Sequence, residues 1–471
     1  NRGNVFSPNK TTITEQSSPQ PYQSVANGAW TSTATWSNGT IQQLPNSISI
    51  VDGTTPINWN IVKTGHDVGS AGNKTVLGLL VTANTLSATN DTKVEISHFL
   101  KLDGKIDLVG KSQLIQTINS DLDVTSTGSI ERDQQGQSNT YNYNYWSSPV
   151  SSINNTTINQ GYTVANVMKD GTDVNNLQSI QWSGGLDGAA TSPITLASYW
   201  IFKFQNYTND YANWSAVGPN GTLLAGQGYT MKGSNAATAN QNYTFVGKPN
   251  NGMITSPVSA NSLNLCGNPF ASAIDANLFI DDNATSIIGT LYFWEHYSTN
   301  NSHVTMQYQG GYATYTKVGG TAPVAPAGVS GMGSSSKVAK RFIPVGQGFF
   351  VTGTATGGNI TFNNNQRIFI KEDNANSYTL FRSNANPTVN SNPDFDNTED
   401  TFSEEQFMKL RLGYHSADNY HREILLGFMN EYATADYDNG YDALSIENLT
   451  NDMYFIQGEN KLNIQGDGAF N

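Results

Sequence analysis

The 471-residue sequence predicts an all-β protein of several domains, and its composition, its apolar alternation and an internal repeat are the grounds for this. Charged residues make up only 13% of the chain, against about 25% in a typical soluble protein. Few Lys and Glu residues, with many β-branched and aromatic ones, argue against helical bundles and coiled coils. Aromatic residues stay plentiful at 11%, so the chain can bury cores and wholesale disorder is not expected.

The N-terminal part predicts a run of short strands. Residues 1–24 are polar and interrupted by prolines, which indicates a lead-in or linker. Residues 25–140 form the next predicted region, and from residue 75 to residue 132 it carries short apolar groups separated by polar turns, the period-2 pattern of half-buried strands. The pairs are Leu77/Leu79/Val81, Val94/Ile96, Leu100/Leu102, Ile106/Leu108, Leu114/Ile118 and Leu122/Val124. This spacing fits a small β-solenoid, whose turns bury their faces against one another, or a meander over one core.

The middle of the chain contains a duplication, over residues 141–262 and 263–383. Residues 144–150 resemble residues 266–271, with Pro149 and Pro269 in register, and residues 225–233 resemble residues 345–353 around a shared Gly-Gln-Gly. Both pairs lie 120 residues apart, from 149 to 269 and from 227 to 347. We predict two copies of one β-rich module, or two pseudo-symmetric halves of one domain. Strand residues follow each Gly-Gln-Gly, which favours a tight corner over a phosphate-binding loop.

The C-terminal part predicts a β-sandwich of the jelly-roll kind. Residues 384–402 are polar and acidic and read as a linker, and residues 403–471 alternate as strands. Two closed sheets need more strands than these, so we expect the sandwich to be incomplete. The chain begins with Asn1 and without a signal-peptide pattern, which we interpret as a mature or interior start.

Charge and cysteine content exclude several classes of function. The net charge of -13 repels nucleic acid and anionic membrane surfaces, so no nucleic-acid partner is expected. No apolar run reaches the roughly 18–20 residues of a membrane span. A single cysteine, Cys266, rules out a disulfide framework and a cysteine-based zinc site.

No catalytic motif stands out, and we predict that the chain is not an enzyme. Neither H-E-x-x-H nor G-x-S-x-G occurs. The six histidines are expected at loop and strand surfaces. Glycoside hydrolysis needs two carboxylates at a suitable separation, and Glu295, in an aromatic segment, is the one that this hypothesis selects. A glutamate at a strand edge is the competing interpretation.

An acidic loop is the best metal-site candidate. Asp436, Asp438 and Asp442 alternate around a glycine turn, and Glu447 lies where a twelfth ligand would stand, so they could converge on Ca²⁺. Gly440 occupies a ligand position of the EF-hand pattern, which excludes an EF-hand but not another calcium loop. The alternative is a solvated acidic turn. A second acidic cluster fits a linker better, and it consists of Asp394, Asp396, Glu399 and Asp400.

Tryptophans offer a further functional hypothesis. They lie among Asn, Tyr and Thr, a composition suited to stacking on sugar rings, although core packing would also explain them. The residues concerned are Trp182, Trp200, Trp214 and Trp294.

Several segments resemble a known group of proteins. The opening Gly-Ala-Trp at 28–30 with Ala-Thr-Trp-Ser-Asn-Gly at 34–39 is similar to β-solenoid-type modules of Bacteroidetes surface proteins. Blocks that recur in large secreted flavobacterial proteins are similar to residues 108–116, 128–136, 143–150 and 267–275. Residues 426–428, 433–434 and 438–443 resemble the sandwich that precedes their C-terminal secretion domain.

The resemblance implies export by the type IX secretion system to the outer face of the cell surface. Its secretion machinery and outer-membrane attachment components would then be partners, although no C-terminal sorting domain follows in this sequence. The leading hypothesis is a structural or adhesive role on that surface. A polysaccharide-binding module, with exposed aromatic rings on one concave face, and a polysaccharide-degrading enzyme component are the alternatives. Surface glycans are the ligands that the first alternative implies.

Overall fold

The structure is a computed structural model that describes residues 21–37, 42–207, 213–297, 300–325, 330, 333–373, 377–381, 407–418, 420–447 and 449–468. Strands make up 45% and helices 7% of it, which confirms the predicted all-β class. Along the chain it forms a solenoid-like region, two copies of a β-rich module and a C-terminal sheet. No helix among the described residues is long and apolar enough to cross a membrane.

The N-terminal region is a β-solenoid-like coil of about four turns. Its strands are β1 (Tyr22–Ser24), β2 (Gly28–Ala29), β3 (Trp36–Ser37), β4 (Ile61–Thr64), β5 (Val68–Ala71), β6 (Lys74–Val81), β7 (Thr85–Thr89), β8 (Lys93–Leu102), β9 (Lys105–Leu108), β10 (Gln113–Gln116), β11 (Asp121–Leu122) and β12 (Ser129–Gln137). From β4 onward the chain alternates between two parallel sheets, one with β4, β6, β8 and β10 and the other with β5, β7, β9 and β12.

The two solenoid sheets share one apolar core. Successive residues of a strand point to opposite faces, and the inward set is buried, as the alternation predicts: it includes Leu79, Val81, Val94, Ile96, Leu100, Leu102, Ile106 and Leu108. Ile118 and Val124 are exposed instead, because they lie in the turns after β10 and β11.

The two modules follow. The first contains β13 (Tyr143–Trp146), β14 (Val150–Ser151), α1 (Val164–Val167), β15 (Met168–Asp170), β16 (Gln178–Ser179), β17 (Gln181–Ser183), β18 (Thr195–Ala197), β19 (Phe202–Lys203), β20 (Gln205–Tyr207), β21 (Ser215–Ala216), β22 (Tyr229–Lys232) and β23 (Asn240–Pro249). The second contains β24 (Ile254–Val258), β25 (Leu263–Gly267), β26 (Ala273–Asp275), α2 (Ala276–Asp282), β27 (Leu291–His296), β28 (Gly310–Thr316), β29 (Gly319–Thr321), β30 (Phe342–Ile343), β31 (Gly348–Thr352), β32 (Gly358–Phe362) and β33 (Arg367–Ile368).

The two modules share one pairing scheme, which confirms the predicted duplication. In the first, β13 pairs antiparallel with β22, and Tyr143 lies opposite Lys232. In the second, β25 pairs antiparallel with β31, and Leu263 lies opposite Thr352. Both partners are thus shifted by 120 residues. The neighbouring pair repeats as well, as β12 with β23 and as β24 with β32.

The two Gly-Gln-Gly corners join the modules to each other. Gln227 bridges to Cys266, and Gln347 bridges to Trp146. Each corner therefore lies against the first inner strand of the other module, a reciprocal exchange with pseudo-two-fold symmetry.

Glycine is required at these corners for two reasons. Gly226 and Gly346 have φ values of +82° and +72°, in the left-handed region that glycine adopts at little cost. A Cβ on Gly228 would lie 2.7 Å from the carbonyl oxygen of Cys266. The predicted tight corners are therefore present in both modules.

The second solenoid sheet continues into the first module. β12 pairs in parallel with β9 and antiparallel with β23, the latter over eight residue pairs. A buried ion pair between Arg132 and Glu372, with Nη2 3.0 Å from Oε1, ties the solenoid to the end of the second module. The sheet therefore continues across the boundary predicted at residue 140, and the domain limits stay a prediction.

The last described strands form one five-stranded sheet. They are β34 (Met408–His415), β35 (His421–Phe428), β36 (Ala443–Leu444), β37 (Phe455–Gln457) and β38 (Asn460–Asp467). The apolar face of this sheet, which includes Leu425 and Ile464, packs around Val318 between β28 and β29. The second module thus supplies the facing layer. The predicted linker at 384–402, with its acidic cluster, lies outside the described residues.

Candidate functional site

An aromatic cavity of about 330 Å³ lies at the junction of the two modules. Its walls consist of Tyr143, Tyr145, Tyr199, Trp200, Phe202, Trp214, Thr230, Trp294, Thr305, Tyr308 and Tyr312. Strands β13 and β22 of the first module provide one wall, and β27 and β28 of the second provide another. The segment around the short helical turn Ser198–Trp200 forms the rim, where Tyr199 is 55% exposed.

The rings around the cavity brace one another. Tyr145 stacks on Trp294 with ring centroids 6.0 Å apart, and Trp214 meets Tyr145 edge to face at 5.8 Å. The hydroxyl groups of Tyr145 and Tyr312 are 3.2 Å apart, within hydrogen-bond distance. Mutual packing of this kind holds the walls in place without a ligand, so the cavity is preformed.

A buried ammonium group lies behind the cavity wall. Lys232 Nζ is 3.6 Å from the ring centroid of Trp200 and donates hydrogen bonds to His303 Nδ1 and to the Tyr308 hydroxyl. His303 Nε2 lies 2.9 Å from Asp187 Oδ1. Burial lowers the pKa of Lys232 to about 7, and the charge of Asp187 opposes that change. The lysine therefore fixes two walls, Trp200 and Tyr308, from behind.

His296 also lies behind the wall and corrects a prediction. Histidines were expected at surfaces, but His296 is 4% exposed and its ring lies 5.3 Å from Trp294 and 5.0 Å from Tyr308. Neither ring nitrogen has a hydrogen-bond partner among the described residues. Burial, assisted by the charge of Lys232, lowers its pKa to about 3. The sequence pattern missed this because β27 is buried on both faces.

Glu295 points away from the cavity. It follows Trp294 on β27, so its side chain lies on the opposite face of the strand. It is buried, 3.8 Å from Lys337 Nζ, and accepts a hydrogen bond from Ser335 Oγ at 3.2 Å. Burial raises its pKa to about 7, although Lys337 acts in the opposite direction. Glu295 is thus an interior partner of Lys337 rather than a strand-edge residue.

The two tyrosines that β13 contributes to the cavity are not repeated in the second module. At the 120-residue spacing, Leu263 and Leu265 stand where the first module has Tyr143 and Tyr145. Leu265 packs with Trp294 in the cluster beside the cavity. The sequence held one indication of the cavity: Tyr143 and Tyr145 stand at alternate positions of one strand and therefore share a face.

Three of the four tryptophans singled out from the sequence line this cavity. Trp200, Trp214 and Trp294 meet there although they are far apart in sequence. Trp182 does not join them, and it packs partly buried against the apolar core that the solenoid shares with the first module.

The acidic loop is held by its own hydrogen bonds. Asp442 is fully buried and accepts from the backbone N–H groups of Asp438 and Gly466, each at 2.7 Å. Burial raises the pKa of Asp442 to about 6. Asp438 accepts from the backbone N–H and the hydroxyl of Thr434, while Asp436 is exposed.

Glu447 is occupied elsewhere. It is buried and forms an ion pair with Arg422 at 3.0 Å, and Asp452 pairs with the same guanidinium at 2.8 Å. Among the described residues no group of three or more His, Cys, Asp or Glu side chains is arranged to hold a metal ion. Calcium stays a prediction, which the chelator arm of the binding experiment below tests.

A comparison with known proteins places the chain in a family. The family described as a domain of unknown function (DUF8693) matches residues 153–471, more than half of the chain. The chain belongs to this family. The matched part includes most of the first module, the second module and the C-terminal sheet. No curated protein and no solved structure matches the chain.

Proposed function

We propose that the chain is a carbohydrate-binding protein that holds a sugar in the aromatic cavity. The observation that supports this is the preformed set of aromatic rings, which surround a cavity of about 330 Å³. This volume is within the roughly 300–1,000 Å³ typical of small-molecule sites. Sugar rings present apolar C–H faces, and aromatic rings such as those of Trp214 and Tyr199 bury such faces well while their polar atoms bind hydroxyl groups.

The charge behind the wall favours a sugar over a cationic ligand. Aromatic cages also attract ammonium groups, but Lys232 already lies over the rings of Trp200 and Tyr143, at 3.6 and 4.4 Å. A second cation in the cavity would be repelled whenever Lys232 is protonated. A neutral sugar meets no such penalty.

The wider role follows from the resemblance described above. An exported protein that carries a sugar site would serve as a structural or adhesive component of the bacterial surface, with surface glycans as ligands. Export through the type IX secretion system and attachment to the outer membrane rest on that resemblance, and a sugar site is compatible with both.

Retention on a panel of soluble and insoluble polysaccharides tests the proposal. We expect retention on at least one neutral glycan, and a loss of about tenfold or more in affinity for Tyr199→Ala and Trp214→Ala, because one stacked ring contributes on the order of 1 kcal/mol beyond its buried area. Each arm is repeated with calcium and with a chelator. Retention that chelation abolishes would support a calcium loop.

Trp59→Ala is the matched control. Trp59 is 53% exposed and does not line the cavity, so its removal should leave retention unchanged. Failure to bind any glycan of the panel, or equal losses in all three variants, would contradict the proposal.

A further inference from the structure

A second cleft, of about 550 Å³, lies between the second module and the C-terminal sheet and is lined by basic side chains. The cations are Lys317, Lys340, Arg341, Lys409 and Arg411. Asp281 is the one carboxylate among the described lining residues. The whole chain holds 24 Lys and Arg residues at a net charge of -13, so five of them along one cleft is a local concentration of basic side chains.

Three separate elements bring these cations together. Lys317 lies in the turn between β28 and β29, Lys340 and Arg341 precede β30, and β34 supplies the others. Lys409 and Arg411 alternate on β34 and therefore share a face. A Cβ on Gly319 would lie 3.9 Å from both Lys409 Nζ and Arg411 Nη2. The glycine thus leaves open the space beside these two cations.

Acidic partners orient three of the cations. Lys317 Nζ is 2.5 Å from Asp281, and Arg341 Nη2 is 2.7 Å from Asp275. Arg411 uses its Nη1 for both Glu423 and the carbonyl oxygen of Gly320. Its Nη2, beside Gly319, is therefore placed to meet a ligand.

We propose that this cleft binds the carboxylate or sulfate groups of a short acidic saccharide. Low-dielectric walls focus the field of clustered charges on an anion, and the planar guanidinium of arginine matches a carboxylate or sulfate in two parallel hydrogen bonds. Phe407, Tyr432 and Tyr441 also line the cleft and offer ring surfaces for the sugar. This inference goes beyond the aromatic cavity and does not rest on it.

Calorimetric titration of the full chain tests the proposal. The probes are trigalacturonate, a sulfated galactose oligosaccharide and neutral maltotriose. We expect binding of at least one anionic probe, weakened by added salt, whereas any binding of neutral maltotriose should not depend on the cleft residues. The double variant Lys409→Gln with Arg411→Gln should weaken it by about tenfold or more, because it removes charge-assisted hydrogen bonds.

Lys63→Gln with Lys371→Gln is the charge-matched control, since neither residue lines the cleft, and it should change the affinity by less than about twofold. Lys340→Gln alone provides a second test if the double variant melts early. The proposal is overturned if no anionic probe binds, if the cleft variants weaken maltotriose binding as much as binding of the anionic probe, or if they leave the affinity for the anionic probe unchanged. Loss of binding in Trp214→Ala but not in the cleft variants would also overturn it, and would leave the aromatic cavity as the binding site.

Discussion

His296 shows how the wall behind the cavity sets a proton-binding property. Its ordinary pKa of 6.5 falls to about 3 in the folded chain because burial, and then Lys232, disfavour the imidazolium. Between these two values the unfolded chain binds a proton that the folded chain does not. Protonation of His296 in the unfolded chain therefore favours unfolding. The stability that depends on neutral His296 is fully present above about pH 6.5 and is lost as the pH falls towards 3.

The variant His296→Phe should remove that dependence. Phenylalanine fills a similar volume, needs no hydrogen-bond partner and does not titrate. Below pH 6, the unfolding free energy of the wild type should therefore fall relative to that of the variant by up to about 1.4 kcal/mol per pH unit. Urea denaturation at pH 7, 5.5 and 4.5 measures it. His98→Gln, an exposed histidine, should keep the wild-type slope, and an unchanged slope in His296→Phe would show that His296 protonates freely.

At the scale of single residues, the sequence predicted which residue types form the cavity better than it predicted where individual residues lie in the fold. It selected Trp200, Trp214 and Trp294 as potential sugar contacts, and they do share a cavity. It could not predict that Lys232 meets His303, 71 positions further along the chain, because such contacts follow from the pairing of strands distant in sequence. The surface position predicted for His296 was wrong for the same reason.

At the scale of elements, the joint between the solenoid and the first module depends on a buried lysine. Lys248 lies on β23, is 1% exposed, and its Nζ donates to the carbonyl oxygens of Val124, Asn154 and Thr157 at 2.7, 3.1 and 2.9 Å. One carbonyl belongs to the solenoid and two belong to the module. The ammonium group thus satisfies the backbone of two units at once.

Replacing Lys248 by methionine should destabilise the chain by about 2–4 kcal/mol, because the apolar side chain leaves three buried carbonyl groups without this donor. Chemical denaturation at neutral pH gives the value. Lys63→Met is the control, because it removes a lysine that does not hold three backbone carbonyl groups. Its free energy of unfolding should stay within about 0.5 kcal/mol of wild type. A loss in Lys248→Met below about 1 kcal/mol would mean that water replaces the ammonium at little cost.

The strands themselves were largely predictable, and their partners were not. Period-2 alternation located β6, β8, β35 and β38, and the 120-residue repeat anticipated the shared register of β13–β22 and β25–β31. Nothing in either pattern indicates that β23 would extend the solenoid sheet along β12. Strand pairing depends on which edges remain open after folding, and local sequence does not encode that.

At the scale of the whole molecule, the shared sheet makes the modules dependent on the solenoid region. A chain that begins at residue 141 loses β12, which pairs with β23 over eight residues. The unpaired edge of β23 could then form hydrogen bonds with strands of other chains. We expect this chain to aggregate or to lack cooperative melting, as measured by light scattering and near-ultraviolet circular dichroism.

A chain that ends at residue 383 is the control, because it removes the C-terminal sheet but leaves every strand of the solenoid and of the two modules. It should melt cooperatively. A soluble, cooperatively folded chain from residue 141 onward would show instead that the modules are independent of the solenoid.

The reciprocal exchange of the two corners has one more consequence. It is the geometry with which two identical subunits would meet at an isologous interface, each lending its corner to the other. In a dimer of identical chains every substitution appears twice, so two equivalent positions cannot carry different residues. Joined in one polypeptide, the two halves escape that constraint: one retains Leu263 and Leu265 for packing while the other carries Tyr143 and Tyr145. Covalent linkage thus permits a single, asymmetric cavity on a nearly symmetric frame.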